Sequence, residues 1–309
     1  MKNLRVSSLL GLILILFNSY NLFAQEFSNI YSSSTIVQYT SLVLNTQNSN
    51  EVIVLGSKIE NATTQNKDLL ISKMSLTGVL SNSYIFENAG KDDIPVQIIS
   101  SMNGGYIILS STNSYDASDI MVTKIDNQLN FISNTVYKQT TLGYDRPSGI
   151  FESTNGEILI SSVNQSTLSN VNSMRINFLK IASNGSVVWS KYYSGYSAFY
   201  SGGIIQHSSG DIYISGGVKI DSTSSSTTRN NQPILLKISN SGVLLNARLY
   251  RGSIVSDVTK NNGFRGLKEL SNGTIALVGG SKTFTNQPSP QTRQDGFYLC
   301  ESKFVYKCI

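Results

Sequence analysis

The sequence has few of the residues on which redox and metal chemistry usually depend. Its 309 residues include two cysteines, one histidine and one tryptophan. The cysteines, Cys300 and Cys308, fall close together at the C-terminus, and with a single distant histidine they do not complete a tetrahedral metal site. In an exported chain this pair could form a disulfide that pins the C-terminus, with free thiols as the alternative. We therefore predict no metal site and no cofactor.

Long apolar runs are absent after the first residues. Lys2 and Arg5 precede an apolar stretch over residues 9–17, and Ala24 offers a small residue at a cleavage position. This pattern predicts a signal peptide over residues 1–24 and export to the periplasm, cell surface or medium. A retained N-terminal anchor is the alternative, although the run is shorter than the roughly 20 residues that a spanning helix needs. We predict no transmembrane helix elsewhere.

Charge is sparse as well. Only 14% of residues are charged, and the net charge of +5 comes from lysines and arginines scattered along the chain. Nucleic-acid binding requires clustered basic residues, so we predict no nucleic-acid partner. Weak attraction to an anionic glycan or membrane surface stays open. We expect a monomer whose ligand is a protein or a glycan.

What the sequence does contain is an internal repeat. A turn followed by a β-rich strand recurs with steps of 52, 54 and 63 residues between its glycines, and an earlier copy at residues 50–56 lacks the turn glycine. A second phrase follows each copy after a polar loop. It contains an apolar strand with a lysine in the first four copies, and Cys300 takes the lysine position in the last copy. The turn glycines are Gly104, Gly156, Gly210 and Gly273, and the lysines are Lys73, Lys124, Lys180 and Lys237.

Four short strands per unit at this period predict a β-propeller blade. In the second phrase both alternating faces are apolar, with Ile120 and Val122 on one face and Met121 and Ile125 on the other, as expected for a sheet between two neighbours. We predict an all-β fold and a single domain over residues 25–309, with five four-stranded blades and six as the alternative. A β-sandwich pair is the competing fold.

Closure of the ring is predicted from the N-terminus. The stretch Phe27–Tyr31 resembles the outer-strand stretch Ile132–Tyr137, so an N-terminal strand is expected to complete the last blade. The stretch Phe304–Cys308 also has a strand-like sequence and competes for the same place.

These repeats resemble the bacterial β-propeller repeat family of secreted proteins, whose units carry a D-x-x-L-x-K-x-x-x-x-G-x-x-x-W phrase. Residues 166–195 match best, with Lys180, Gly185 and Trp189 in order and Arg175 in place of the initial Asp. The resemblance covers most of the mature chain. It implies an exported propeller and no common reaction.

Repeated or neighbouring polar residues offer candidate chemistry. An aspartate recurs at the start of a strand in three of the units, at Asp68, Asp119 and Asp295. These carboxylates could surround a cation, but hydrogen bonding within turns explains them more simply. The repeated lysines suit a scaffold, with each stem along the blade and each ammonium in water. His207 lies near Ser209 and Asp211, yet such close sequence neighbours rarely form a catalytic triad.

A glycosidase would need paired carboxylates, for which the chain offers Asp93, Asp145, Glu152 and Glu269. None of them stands in a recognisable catalytic motif. We therefore predict no enzyme and no catalytic residues, and a non-catalytic binding or protein-interaction scaffold. The alternatives are a surface glycan-binding lectin or, less favoured, a glycan-active hydrolase or lyase.

Aromatic side chains are the candidate binding residues. Packing between blades explains most of them, but exposed rings could also stack on sugars. Polar loops at 221–231 and 283–293 are the longest insertions and could carry binding as well. The candidates are Trp189, Tyr192, Tyr193, Tyr196 and Tyr200.

Overall fold

The computed structural model describes residues 36–59, 67–87, 91–114, 117–138, 143–165, 174–193, 197–219, 231–250, 260–283 and 293–301. Regular structure in these ranges is entirely β. The strands, in chain order, are β1 Ile36–Leu44, β2 Glu51–Ile59, β3 Lys67–Ser75, β4 Leu80–Phe86, β5 Asp92–Ser100, β6 Tyr106–Ser114, β7 Ala117–Ile125, β8 Phe131–Tyr137, β9 Tyr144–Glu152, β10 Ile158–Gln165, β11 Arg175–Ile181, β12 Val187–Tyr193, β13 Ser197–Gln206, β14 Ile212–Lys219, β15 Asn231–Ile238, β16 Leu244–Leu249, β17 Lys260–Glu269, β18 Ile275–Thr283 and β19 Arg293–Glu301.

Consecutive strands pair antiparallel in successive meanders. Strands β1–β4, β5–β8, β9–β12 and β13–β16 form four-stranded units, and β17–β19 form a three-stranded unit. Single parallel bridges, Ser118 to Tyr144 and Asn231 to Asn261, link the second unit to the third and the fourth to the fifth. The first strands β1, β5, β9, β13 and β17 contact one another in that order, so they form the inner layer. The prediction of an all-β, propeller-like fold is confirmed.

The repeated glycines form tight turns between the first two strands of a unit. Gly156 has a φ of 78°, a left-handed conformation that glycine adopts without steric cost. Its N–H donates to Ser153 O at 2.9 Å, and Ser153 N–H donates to Glu157 O at 2.8 Å, which closes the turn. The copies at Gly104, Gly210 and Gly273 have φ values between 76° and 88°.

The inner strands begin earlier than the sequence indicated. From the sequence we expected a strand before each turn phrase, at residues 149–151, 203–205 and 266–270. The structure instead starts β9, β13 and β17 at Tyr144, Ser197 and Lys260. Glycine is needed here because the strands approach closely: a Cβ on Gly202 would lie 2.6 Å from Phe264 O.

The core lies between successive sheets, and each sheet is buried on both faces. Met121 and Ile125 pack in the cluster shared with the first unit, whereas Ile120 and Val122 pack in the cluster shared with the third. The predicted two-faced burial is confirmed. Each such side chain contributes about 1.5 to 3 kcal/mol when it is buried.

Several predictions fall outside the described residues: the signal peptide, the closing N-terminal strand, the strand at Phe304–Cys308 and most of the two long polar loops. The described residues include no apolar helix of the length that crossing a bilayer requires.

Candidate functional site

Two buried carboxylates begin neighbouring inner strands. Asp93 and Asp145 are each the second residue of their strand, β5 and β9, and they are 2% and 0% exposed. These two inner strands contact each other. Asn164 Nδ2 donates to Asp145 Oδ1 at 2.6 Å from the adjacent strand β10. The repeat thus places two acids at the same end of neighbouring sheets.

A third acid lies in line with Asp93 across the second sheet. The strand register pairs Asp93 with Thr112 and Thr112 with Asp119, so all three side chains share one face. Asp119 is 4% exposed, and Lys138 Nζ lies 3.6 Å from its Oδ2. The buried Thr112 hydroxyl has no hydrogen-bond partner among the described groups. Buried polar groups usually have one, so this row is a candidate for ligand contact.

The other repeat aspartates also lie within strands and not in turns. Asp68 is in β3 and is 7% exposed. Asp295 belongs to β19, but its side chain is outside the described part. Within the described residues, no group of three or more histidine, cysteine or acidic side chains is arranged to hold a metal ion.

Glu152 and Glu269 have a different role from the two aspartates. Each is the last residue of its inner strand, and each accepts hydrogen bonds from the first turn of the preceding unit. Glu152 Oε2 accepts the N–H of Met102 at 2.6 Å, and Glu269 Oε2 accepts the N–H of Ser208 at 2.8 Å. These two glutamates join consecutive sheets at the opposite end of the inner strands.

Two of the four repeated lysines are paired with acids, and one of them is buried, contrary to the expectation that each ammonium reaches water. Lys180 is 4% exposed, and its Nζ lies 2.7 Å from Glu157 Oε2. In the fourth unit, Lys237 Nζ lies 2.9 Å from Asp211 Oδ2 of the same unit. The acids stand at the same place after the turn glycine, so the lysine and the acid form a repeated cross-strand ion pair. Bonding to Asp211 raises the pKa of Lys237.

His207 is held by turns and has no triad geometry. Its Nδ1 lies 2.9 Å from Ser209 Oγ, and its Nε2 lies 3.0 Å from Gly273 O and 3.3 Å from Glu269 Oε1. The Ser209 N–H also lies 3.0 Å from Nδ1, within the same turn. Both ring nitrogens are occupied by these contacts, so the histidine joins the fourth and fifth units.

The candidate aromatic residues do not form one surface. Trp189 contacts Phe178 edge-on at 6.0 Å between ring centroids, and its Nε1–H donates to Asn240 O at 3.2 Å. Tyr193 packs on the same core cluster, whereas Tyr192 is 59% exposed under the guanidinium of Arg175. Tyr196 and the side chain of Tyr200 lie outside the described part. A binding role for this set stays a prediction.

The cysteine pair is described only in part. Cys300 lies in β19 opposite Ala276 of β18, and Cys308 is outside the described residues. The disulfide therefore stays a prediction.

A cleft that the sequence did not indicate lies between the first and second sheets. Its volume is about 390 Å³. Strands β3, β4, β5, β7 and β8 and the residue after β4 supply its lining. The apolar lining residues are Leu69, Ile85, Phe86, Met121 and Phe131, and the polar ones are Glu87, Asp93, Thr123 and Asn134. We call this space the sheet 1–2 cleft. It could not be found from spacing, because its walls come from two separate repeats.

Comparison with known proteins gives matches in structure only. No sequence family and no curated protein matches the chain. A protein of unknown function from Dyadobacter fermentans superposes with a TM-score of 0.56 at 10% identity, over 87% of this chain and 79% of that one. A thermostable family-43 glycoside hydrolase superposes with a TM-score of 0.49 at 12% identity, over 88% of this chain and 93% of that one. An exo-β-1,3-galactanase from Phanerochaete chrysosporium superposes with a TM-score of 0.47 at 13% identity, over 83% of this chain and 64% of that one. At these identities the likeness shows the fold alone.

These comparisons correct the functional prediction. We expected a non-catalytic scaffold and no enzyme, and the comparisons contradict that prediction: the solved structures with a similar fold include glycoside hydrolases, so this fold gives no reason to exclude catalysis. The error came from treating a missing catalytic motif as evidence against catalysis. In a propeller, acids from separate repeats become neighbours only on folding, so no local motif is required. The resemblance to the secreted repeat family has no matching sequence family and stays a prediction.

Proposed function

We propose that this protein is a glycan-active hydrolase that uses Asp93 and Asp145 as its carboxylate pair. The observation that carries the proposal is their equivalent placement at the start of contacting inner strands, with both side chains buried. Glycoside hydrolysis needs two carboxyl groups, one to protonate the leaving oxygen and one to act as base or nucleophile. Glu152 and Glu269 are excluded from the pair, since they bind turns at the other end of the strands.

The surroundings of the two acids suggest separate roles. An N–H donor stabilises an ionised carboxylate, and Asp145 receives one from Asn164. Asp145 therefore acts as the base or nucleophile, and Asp93 supplies the second carboxyl group of the pair.

The test is hydrolysis of a panel of nitrophenyl glycosides and β-linked oligosaccharides by the wild-type protein and three variants. Asp93→Asn and Asp145→Asn are each expected to lower kcat/KM by about a thousandfold. Glu152→Gln is the matched control, because it removes a carboxylate of an inner strand at the opposite end. A panel that is not hydrolysed, or that either Asn variant hydrolyses as fast as the wild-type protein does, contradicts the proposal.

Glycan binding without turnover would identify a lectin instead. In that case an immobilised glycan array would retain the protein, the Asn variants included, and no product would appear. Substitution of the exposed Tyr192 by Ala would weaken retention in that outcome.

We propose in addition that the ring has five blades and is closed by Phe27–Tyr31 beside β19. Support comes from the order of contacts among the five first strands and from the three-stranded fifth unit in the described part. Removing residues 25–31 is expected to lower the midpoint of thermal unfolding by several degrees. An unchanged midpoint would favour Phe304–Cys308 as the outer strand.

We propose that the mature chain begins at Gln25 and is an exported monomer with a Cys300–Cys308 disulfide. The sequence pattern of residues 1–24 and the closeness of the two cysteines support this. Mass spectrometry of the secreted protein before and after reduction tests cleavage and the disulfide. Light scattering during size exclusion tests the monomer.

A further inference from the structure

The sheet 1–2 cleft combines an apolar wall with an acidic edge. Phe86 and Phe131 face each other across it with ring centroids 6.3 Å apart and planes tilted by 42°. Phe131 is 56% exposed, so much of its ring is accessible to a ligand. The volume of about 390 Å³ is within the range of small-molecule sites, which are mostly apolar with a few polar groups.

The polar groups of the cleft offer acceptors and few donors. The Thr123 hydroxyl donates to Asn134 Oδ1 at 3.5 Å, and Asn134 Nδ2 is directed at Met121 Sδ at 3.2 Å. These contacts engage the Thr123 hydroxyl and one of the two N–H groups of the Asn134 amide. The remaining polar side chains are the carboxyl groups of Glu87 and Asp93.

We propose that the sheet 1–2 cleft binds an organic ammonium ion, with its apolar body against Phe86 and Phe131 and its charged head toward Glu87 and Asp93. Aromatic faces and carboxylates both attract a cation, and a desolvated cation beside a ring is bound more strongly than an exposed one. An anionic ligand would be repelled by the two carboxylates. A neutral ligand that needs donors would find the Thr123 hydroxyl and one N–H of Asn134 already engaged.

This site goes beyond the proposed hydrolase activity and does not depend on it. Asp93 begins an inner strand and also lines the cleft, so the two sites adjoin. Binding of an amine can be measured with no glycan present, and the proposal holds or fails whether or not glycans are hydrolysed.

The test compares benzylamine with benzyl alcohol at pH 7, which have the same ring and differ in charge. Calorimetric titration of the folded wild-type protein is expected to give binding of benzylamine at least about tenfold tighter. Equal affinity for both probes, or no binding of benzylamine, overturns the proposal.

Variants then locate the binding. Phe131→Leu keeps an apolar side chain but removes the ring, and we expect benzylamine affinity to fall about threefold or more. Glu87→Gln, at an exposed position, removes one charge without altering the core, and a similar loss is expected. Asp93→Asn is expected to lower the affinity for benzylamine about tenfold, provided that circular dichroism shows that the variant is folded. Tyr192→Ala, on another sheet, is the control. Unchanged affinity in both Phe131→Leu and Glu87→Gln places the probe elsewhere and contradicts the proposal.

Discussion

Lys180 Nζ lies 2.7 Å from Glu157 Oε2 while only 5% of the lysine side chain is exposed. The same ammonium donates to Asn240 Oδ1 at 2.8 Å, from the turn between β15 and β16 of the next unit. A buried cation therefore joins two strands of its own sheet and also the neighbouring sheet. Its partners satisfy the charge where water cannot.

Removing the acid from this pair is expected to be more damaging than removing the lysine. Glu157→Ala leaves a buried ammonium without its counter-ion and should lower the free energy of unfolding by about 2 kcal/mol, less than for a pair wholly shielded from water. Lys180→Met replaces the charge with an apolar chain of similar length and should cost about 1 kcal/mol or less. Urea denaturation followed by fluorescence measures both changes.

The equivalent pair in the next unit provides a matched control for that experiment. Lys237 and Asp211 are each 26% exposed, so Asp211→Ala should cost only about 0 to 1 kcal/mol. Equal losses in Glu157→Ala and Asp211→Ala would show that burial of Lys180 does not matter.

Acid should weaken the contact between the fourth and fifth units. Burial opposes ionisation of Glu269, but hydrogen bonds from the Ser208 side chain and backbone and the charge of His207 hold its pKa below the ordinary value of 4.5. A lowered folded-state pKa contributes stability that is present above pH 4.5 and is lost as pH falls through the folded value. Urea midpoints measured from pH 6 to pH 3 should therefore decline.

Two variants test whether the titration of Glu269 causes this decline. Glu269→Gln should make the midpoint less dependent on pH over this range, because one carboxyl group no longer titrates. Ser208→Ala removes the hydroxyl donor, at 2.5 Å from Glu269 Oε1, and should weaken the dependence only in part. A decline in Glu269→Gln as steep as that of the wild type would contradict the assignment.

Trp189 is expected to act as a packing residue. Its ring contacts Phe178, and a Cβ placed on Gly242 of the next unit would lie 3.2 Å from the indole. Trp189→Ala should destabilise by about 2 to 3 kcal/mol through the cavity it leaves, and Trp189→Phe by about 1 kcal/mol through the lost hydrogen bond. Thermal unfolding followed by circular dichroism measures both. If Trp189→Ala unfolds like the wild type, the packing role is excluded.

Close approach of the inner strands should make one glycine intolerant of substitution. A Cβ on Gly202 would lie 2.6 Å from both Phe264 O and Ser215 Oγ, so Gly202→Ala should cost about 2 kcal/mol or more. Gly266→Ala is the control, because its Cβ would meet a side-chain methyl of Val278 at 3.2 Å and no backbone atom that close. Urea midpoints of the two variants are compared, and an equal loss contradicts the steric explanation.

The strand content could be predicted because its signals are local. The turn at Gly156 and the apolar faces of residues 120–125 are properties of consecutive residues, and both were found in the structure. The early starts of the inner strands were missed, because the close approach that requires glycine at position 202 involves Phe264 of another strand and is visible only in the folded structure.

The candidate site could be predicted only as a list of acids. Four carboxylates were equally eligible in the sequence, and only the fold separates Asp93 and Asp145 from the turn-binding Glu152 and Glu269. The sheet 1–2 cleft had no signal at all, because its walls come from two repeats and its shape depends on how the sheets pack.

The sequence by itself determined the repeated unit: short strands, glycine turns and two apolar faces, all set by interactions between near neighbours along the chain. The tertiary structure alone decided which charges meet. The ammonium of Lys180 contacts Glu157 in its own sheet and Asn240 in the next unit. Asp93 lies near the start of a strand that contacts the strand of Asp145. Such partners are set by sheet register and by packing between sheets, and neither is encoded in the spacing of residues within a single repeat.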